Sequence, residues 1–468
     1  MEMKLSFYGA VRNVTGSKHL LEIDDKRILI DCGFYQEHDL KGRNYEGFPF
    51  DVSNINAVVL THGHLDHCGL LPKLVKDGYE GPIYATAATA EIAEIVMFDA
   101  AKIQEEDAFW KKKRHDKEGK VSKYGYDPVF TKEDVEKCIT LFVKEHNYGS
   151  KINLFDGVKM SFHDAGHILG SSFVIVEADK DGEQKSILFS GDIGRNDVPI
   201  LRDPEKAPNV DYLVVESTYG NRIHKPNGFI PKILTKIVNA AIRTNGKIII
   251  PSFAIERSQE MLYHLSALLE EQKIGKVKVF LDSPMASRVT NVFKKHADLF
   301  DSEARARMSS GDNPYDFNQL QVVGSAKESK TINDYHKPAI IIAGSGMCTG
   351  GRVKHHLFNH ISNPNNTVLF VGYQAERTLG RHILSGADHV RIFGQNIEVL
   401  ARIEKLNGMS AHADKRELLS WMDGITVAPK KVFIVHGEES SSESFAKYVK
   451  YNNKWETYVP TYEETVVL

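Results

Sequence analysis

A chain of 468 residues is longer than one hydrophobic core usually serves, so two domains are expected. Apolar residues make up 42% and charged residues 26%, an ordinary globular balance, and no apolar run reaches the roughly eighteen residues of a membrane span. The 4 cysteines (Cys32, Cys68, Cys138, Cys348) are dispersed, which excludes a disulfide frame and a CxxC zinc knuckle; the net charge of −3 does not decide for or against a nucleic-acid partner, because an electrostatic footprint can be local. The opening MEMKLSFYGA lacks the basic and apolar regions of a signal peptide, so a cytoplasmic location is expected.

Residues 1 to about 60 alternate short strands with glycine-punctuated turns: LSFYGA, KHLLEI and RILIDCG. Asp31 ends the third of these. A carboxylate there would accept the second N–H of a metal-bound imidazole, with a turn cap as the plainer reading. Then comes VVLTHGHLDHCGLL, residues 58 to 71. Val58, Val59 and Leu60 end a buried strand, and Leu70, Leu71, Leu74 and Val75 fall at helical spacing, so a helix is expected from near Asp66. His62 and His64, two apart on an extended segment, point the same way, while Asp66 and His67 aim at a neighbouring volume. One imidazole pair and one carboxylate–imidazole pair suit two metal ions side by side.

A helical pattern runs from Ala87 to Phe109, with Ile92, Ile95, Val96 and Ile103 along it. The charged WKKKRHDKEGK, residues 110 to 120, is expected to be a solvated mobile loop rather than an RNA contact. Thr131, Glu133 and Asp134 open another helix. Further on, SFHDAGHILGSS sets His167 among small residues, and ILFSGDIGR sets Asp192 at a strand end between Gly191 and Gly194. From such a place one carboxylate can bridge two metals. His163, inside its strand, reads as structural.

From Val210 near-continuous apolar strands appear: DYLVVEST, KIIIPSFA, KVFLDSPMA, AIIIAGSGM and TVLFVGYQAE. Between the first two, Ile230, Ile233, Leu234, Ile237, Val238, Ala241 and Ile242 form a helical stripe. Apolar strands alternating with such helices imply a parallel sheet buried on both faces, whose ligands bind beyond the strands' carboxyl ends. The expected layout is a first domain over residues 1–209, a Rossmann-like insertion over 210–395 that closes over the metal site, and the first domain resuming over 396–468. The last part holds His412 in SAHAD and His436 in VHGE.

His62, His64, Asp66, His67, His167, Asp192 and His436 make a nitrogen-rich donor set without thiolate. Two Zn2+ per chain fit it best, with Mn2+ or Fe as alternatives. Asp66 is also placed to hydrogen-bond an attacking hydroxide.

The His-x-His-x-Asp-His run resembles the signature of the metallo-β-lactamase fold. With ESTYG, PSFAIERSQE, DSPMA, GSGMCTGGR, GYQAERTLGR, SAHAD and VHGE, the whole chain resembles the β-CASP branch of that superfamily. That branch includes the nuclease subunit of the cleavage and polyadenylation specificity factor, its bacterial and archaeal relatives, and RNase J. The short layout looks more like the cleavage-factor type. The resemblance implies an αββα sandwich carrying an inserted β-CASP domain. It implies a zinc-dependent ribonuclease using a two-metal-activated hydroxide, expected to be endonucleolytic and to serve RNA processing or decay. It implies that Glu216 orients His412, that His412 is the general acid leaving a 3′-hydroxyl and a 5′-phosphate, and that His436 completes the second metal's shell and favours RNA over DNA.

Phosphates beside the scissile bond need donors. Ser345 and Gly346 precede a helix opening near Arg352, and Arg257, Tyr373 and Arg377 are further candidates, each equally readable as a salt-bridge or surface residue. Glu256 and Arg377 stand where the family often has glycine. The expected partner is single-stranded RNA, with no membrane, and a homodimer is left open. The rival activities are a small-molecule (thio)ester or lactam hydrolase of the same superfamily and a 5′-to-3′ exoribonuclease. A non-catalytic scaffold would require missing ligands, and none is missing.

Overall fold

Alternation along the first three strands decides which face is covered. Met3, Leu5 and Phe7 of Met3–Gly9 stand opposite Ile23, Leu21 and His19 of Lys18–Ile23, and Ile28 and Ile30 of Lys26–Ile30 stand opposite Leu21 and His19. These apolar residues form one core with Met160, Phe162, Val174, Val176, Ile187, Phe189, Val214 and Phe433, which come from a second sheet. Two sheets therefore pack face to face. The computed structural model in which this is seen describes residues 1–144, 146–224 and 227–468, the side chain of residue 227 excepted.

Among the described residues the chain divides into two compact units: residues 1–196, 203–223 and 412–468, and residues 197–202 and 224–411. In the first, one 7-stranded sheet runs in the order Glu464–Val467, Met3–Gly9, Lys18–Ile23, Lys26–Ile30, Ala57–Val59, Ile83–Tyr84, Phe142–Val143. The other 7-stranded sheet runs Thr457–Tyr458, Lys431–Val435, Tyr212–Glu216, Glu183–Phe189, Ser172–Lys180, Val158–Asp164, Ile152–Phe155. Its outer face, including Phe173, Ile175, Leu188, Leu213 and Ile434, is covered by Leu418 and Trp421 of the helix Lys415–Trp421 and by Phe445 and Val449 of Glu439–Asn453. With the helices Leu71–Lys76 and Ala87–Glu118 following strands of the first sheet, this is the αββα sandwich of the metallo-β-lactamase fold.

The second unit is a 6-stranded sheet, wholly parallel, in the order Leu320–Val322, Lys278–Asp282, Ala339–Ala343, Lys247–Pro251, Thr367–Phe370, Arg402–Lys405. Lys247–Pro251 and Ala339–Ala343 are buried along their whole length, as the uninterrupted apolar runs require.

Three expectations need correcting. The strand Tyr212–Glu216 pairs in parallel with Glu183–Phe189 and Lys431–Val435, so it belongs to the first unit. Arg402–Lys405 pairs with Thr367–Phe370 and belongs to the second. The units accordingly part near 224 and 411 rather than at 210 and 395; an apolar strand flanked by parallel neighbours reads alike in either sheet. Third, residues 110–118 are not a loop. The helix beginning after the Thr86 cap runs 32 residues, Ala87–Glu118, and ends at Gly119 in the left-handed region (φ 63°). Lys, Arg and Glu are good helix formers, so a charged run without Gly or Pro continues a helix. Lys111 Nζ donates to Ser122 Oγ (2.8 Å) and His115 Nδ1 lies 3.1 Å from Tyr126 Oη, so the following segment folds back along it.

Candidate metal centre

The candidate side chains of the first unit sit where strands end. Asp31 follows Lys26–Ile30, the segment 61–67 follows Ala57–Val59, Asp192 follows Glu183–Phe189, Glu216 closes Tyr212–Glu216, and His436 follows Lys431–Val435. His167 lies in the turn between Val158–Asp164 and Ser172–Lys180. A short helix, Leu65–Cys68, starts immediately after the extended His64, one residue earlier than expected.

Two glycines make this convergence possible. A Cβ on Gly33 would lie 1.6 Å from the carbonyl oxygen of Asp66, and one on Gly194 would lie 1.8 Å from that of Gly166. The first lets the Asp31 strand end press against the histidine loop. The second lets the loop of Asp192 press against that of His167.

The donors gather in two sets. His62 Nε2 is 3.1 Å from His64 Nδ1, which is 3.2 Å from His167 Nε2. In the other set His67 Nε2 is 3.0 Å from His436 Nε2, and Asp66 Oδ2 is 3.7 Å from the same His436 nitrogen. Asp192 lies between the sets: its Oδ2 is 3.3 Å from His62 Nε2 and 3.5 Å from both His167 Nε2 and His67 Nε2. All are buried except His64 and Asp66, which are half-buried.

This arrangement fits metal ions better than it fits an apo network. Ring nitrogens face ring nitrogens, and among the described residues the buried Asp192 Oδ1 and His167 Nδ1 have no hydrogen-bond partner. Burial lowers the pKa of His62, His64 (to about 3) and His167, leaving neutral imidazoles with a lone pair to give. Burial opposes the charge on Asp192 too, but His436 and His67 outweigh it and hold the carboxyl well below its ordinary range.

Around the donors stands a layer that orients them. Asp31 Oδ2 is 2.7 Å from His67 Nδ1, and the same carboxylate accepts the backbone N–H (2.9 Å) and hydroxyl (3.0 Å) of Thr61. Thr61 Oγ1 is also 3.1 Å from His62 Nδ1, and Thr218 Oγ1 is 3.0 Å from His436 Nδ1. The two threonines were not singled out from sequence. A threonine beside a histidine carries no spacing signal, and the partner of His436 is 218 residues away in the chain. Asp31 (φ 59°) and His436 (φ 49°) both occupy the left-handed region, a strain that tends to collect at functional sites.

His412 stands beside Asp192, with Nδ1 at 3.8 Å from Asp192 Oδ2 and 3.3 Å from Glu216 Oε1. Burial would lower its pKa. Glu216 first and Asp192 next override that and raise it to about 9.

Family models match the chain in three places: a metallo-beta-lactamase superfamily domain over residues 20–194, a Beta-Casp domain over 258–383, and a Zn-dependent metallo-hydrolase RNA specificity domain over 396–460. A relative called Ribonuclease TTHA0252, from Thermus thermophilus, is 37% identical over 445 residues, covering 95% of both chains. The chain belongs to the β-CASP family of the metallo-β-lactamase superfamily. Members are metal-dependent hydrolases, and this chain is one. Two further β-CASP relatives are transcription termination factors FttA, from Methanocaldococcus jannaschii (31% identical, covering 98% of this chain and 70% of that one) and Methanosarcina mazei (32%, covering 100% and 72%). A crystal structure of a protein of unknown function from Enterococcus faecalis shares the fold over the full length of both chains, with a TM-score of 0.58 at 12% identity. Among the described residues no helix is long and apolar enough to cross a membrane.

The phosphate-binding candidates all lie in the second unit. Arg352 bonds Asp282 Oδ1 (2.6 Å) and the carbonyls of Val323 and Gly324, and the buried Arg257 pairs with Glu260. Both guanidinium groups are thus engaged by carboxylates, the salt-bridge alternative weighed for them above. Ser345 Oγ accepts the N–H groups of Thr349 (3.2 Å) and Gly350 (3.4 Å), fastening its own loop. The Gly346 carbonyl accepts from Gln374 Nε2 at 2.9 Å. Tyr373 and Arg377 are exposed.

Proposed function

We propose that this β-CASP hydrolase is a zinc-dependent ribonuclease, cutting single-stranded RNA within the chain during RNA processing or decay. The observation that carries the reading is the donor geometry: two sets of donors meeting at Asp192, with the Glu216–His412 pair at their margin. His62, His64 and His167 would hold one ion, Asp66, His67 and His436 the other, and Asp192 both. Bound in pairs, divalent ions supply the Lewis acidity and acidified water that phosphodiester hydrolysis needs. The chain's own residues do the rest. Asp66 accepts a hydrogen bond from the attacking water. His412, protonated and steadied by Glu216, gives its Nε2 proton to the departing 3′ oxygen as the P–O3′ bond breaks, leaving a 3′-hydroxyl and a 5′-phosphate. Similarity to Ribonuclease TTHA0252 and to the RNA specificity domain supports RNA as substrate.

The test offers one sequence as circular RNA, linear RNA and linear DNA to the zinc-loaded protein, with and without a chelator. Chelator-sensitive cutting of the RNA circle is expected. Degradation of linear RNA alone would replace the endonuclease with an exonuclease. Survival of all three substrates with both metals bound would overturn the reading in favour of a small ester or thioester.

A further inference from the structure

Three neighbouring strands of the second unit, Ala339–Ala343, Lys247–Pro251 and Thr367–Phe370, run in parallel and end at one edge of the sheet. The loops that follow them carry Gly346, Phe253 and Gly372. A Cβ on Gly346 would lie 2.8 Å from Cδ2 and Cε2 of the Phe253 ring, and one on Gly372 would lie 3.2 Å from Cε2. The ring of the central loop therefore rests on bare backbone from the loops on either side. A side chain at Gly346 would collide with the ring, and one at Gly372 would crowd it.

That bed is fastened. The Phe253 carbonyl accepts the hydroxyls of Ser252 (3.1 Å) and Ser258 (2.6 Å). Gln374, 2% exposed, donates from Nε2 to the carbonyls of Gly346 (2.9 Å), Gly372 (3.4 Å) and Tyr373 (3.0 Å), tying the two glycine loops together. Yet Phe253 remains 41% exposed and Tyr373 48%. A single exposed ring is ordinary. A ring set against the glycines of two other strands' loops, at the end of the sheet where parallel strands take their ligands, is a prepared surface.

We propose that Phe253 is a stacking platform for one base of a single-stranded RNA, with Tyr373 beside it. This rests on the ribonuclease reading above. Every nucleobase offers a flat π face, so such a contact holds RNA without choosing a sequence. The exposed Arg377, on the same loop as Tyr373, adds a positive charge suited to the phosphate chain.

The experiment titrates a single-stranded RNA carrying 2-aminopurine into the full-length protein with chelator present, reading fluorescence and affinity together. Wild type, Phe253→Ala, Phe253→Leu and Phe253→Tyr are compared, and thermal denaturation checks that each is folded. Phe253→Ala should weaken binding about 5- to 150-fold, the loss of one stacked base at roughly 1–3 kcal/mol, and should abolish the stacking quench of the probe. Phe253→Tyr should restore both, and Phe253→Leu, apolar but without a π face, should not. Equal affinity for wild type and Phe253→Ala, or equal rescue by leucine and tyrosine, overturns the platform. If wild-type protein then still cuts RNA once metal is supplied, only the platform falls. If wild type neither binds nor cuts RNA, the ribonuclease reading falls with it.

Discussion

The Nδ1 of His412 stands 3.3 Å from Oε1 of Glu216, and the elements that hold the two residues are stitched together. Glu216 Oε1 accepts the N–H of Ile193 (2.8 Å), the N–H of Ala413 donates to the Ile193 carbonyl (2.8 Å), and His412 bridges to Gly194. A fully buried carboxylate is thereby fixed against a half-buried imidazole, favouring the charged ring at neutral pH.

From that geometry, His412→Ala should slow RNA cleavage by about 10²–10⁴-fold, the range of a positioned general acid, without loss of bound metal. Glu216→Gln should lose part of the same factor, since the ring keeps its place but loses the charge that favours its proton. Single-turnover rates beside metal content measure both; a parallel loss of metal would assign the pair to the metal shell instead.

Asp31 acts through His67. Its carboxylate holds His67 Nδ1 at 2.7 Å, fixing the ring so that Nε2 faces Asp192, and it is itself held by Thr61 and by Ser17 Oγ at 3.3 Å. Removing such a partner from a metal-bound histidine typically costs about 10–100-fold in metal affinity. Asp31→Asn should show that loss for one of two ions in a chelator competition, and Thr61→Val a smaller one. Two unchanged affinities would reduce Asp31 to a turn cap.

How much of this was legible depends on chain distance. His62, His64, Asp66 and His67 announce themselves because six consecutive residues carry them. Asp192 and His167 were readable from strand-end position and small neighbours, and the roles of His412, Glu216 and His436 only through family motifs. Thr61, Thr218 and Phe253 were not readable, since a hydroxyl's partner or a ring's glycine bed is set by tertiary packing. The same holds for Tyr212–Glu216 and Arg402–Lys405, whose apolar pattern fits either parallel sheet. The helix through residues 110–118 differs for another reason: charge alone does not tell a solvated loop from a solvated helix, and every residue there tolerates a helix.

Metal removal should be visible in stability as well as activity. In the apo protein the buried imidazoles of both sets crowd one another around Asp192, whereas ions bound to the native state stabilise it by mass action, about 4 kcal/mol when free metal is a thousand times the Kd. Chelation should therefore lower the melting temperature by several degrees, and zinc should restore it. Asp192→Asn, placed between both sets, should bind fewer than two ions and lose most of that increment. A melting curve indifferent to chelator would mean that the donor sets hold no ion in the native state.

The second unit has its own buried charge. Asp282, at the end of Lys278–Asp282 and 0% exposed, accepts from Arg352 (2.6 Å), from Ser329 (2.6 Å) and from the ring of His356 (2.6 Å). Burial by itself would raise the Asp282 pKa; hydrogen bonds from His356, Ser329 and Arg352 outweigh it and lower the value. A depressed folded pKa means that the group's stabilisation is complete above the unfolded value of about 4 and is lost as pH falls through the folded one. Asp282→Asn strands Arg352 without its anion, a change of the kind that costs about 3–5 kcal/mol when one partner of a buried pair is removed. The variant should unfold at clearly lower urea than wild type at pH 7, and the gap should narrow in acid once wild-type Asp282 is itself protonated. A gap that stays constant from neutral pH into that acid range would show that Asp282 contributes through packing and hydrogen bonds rather than through its charge.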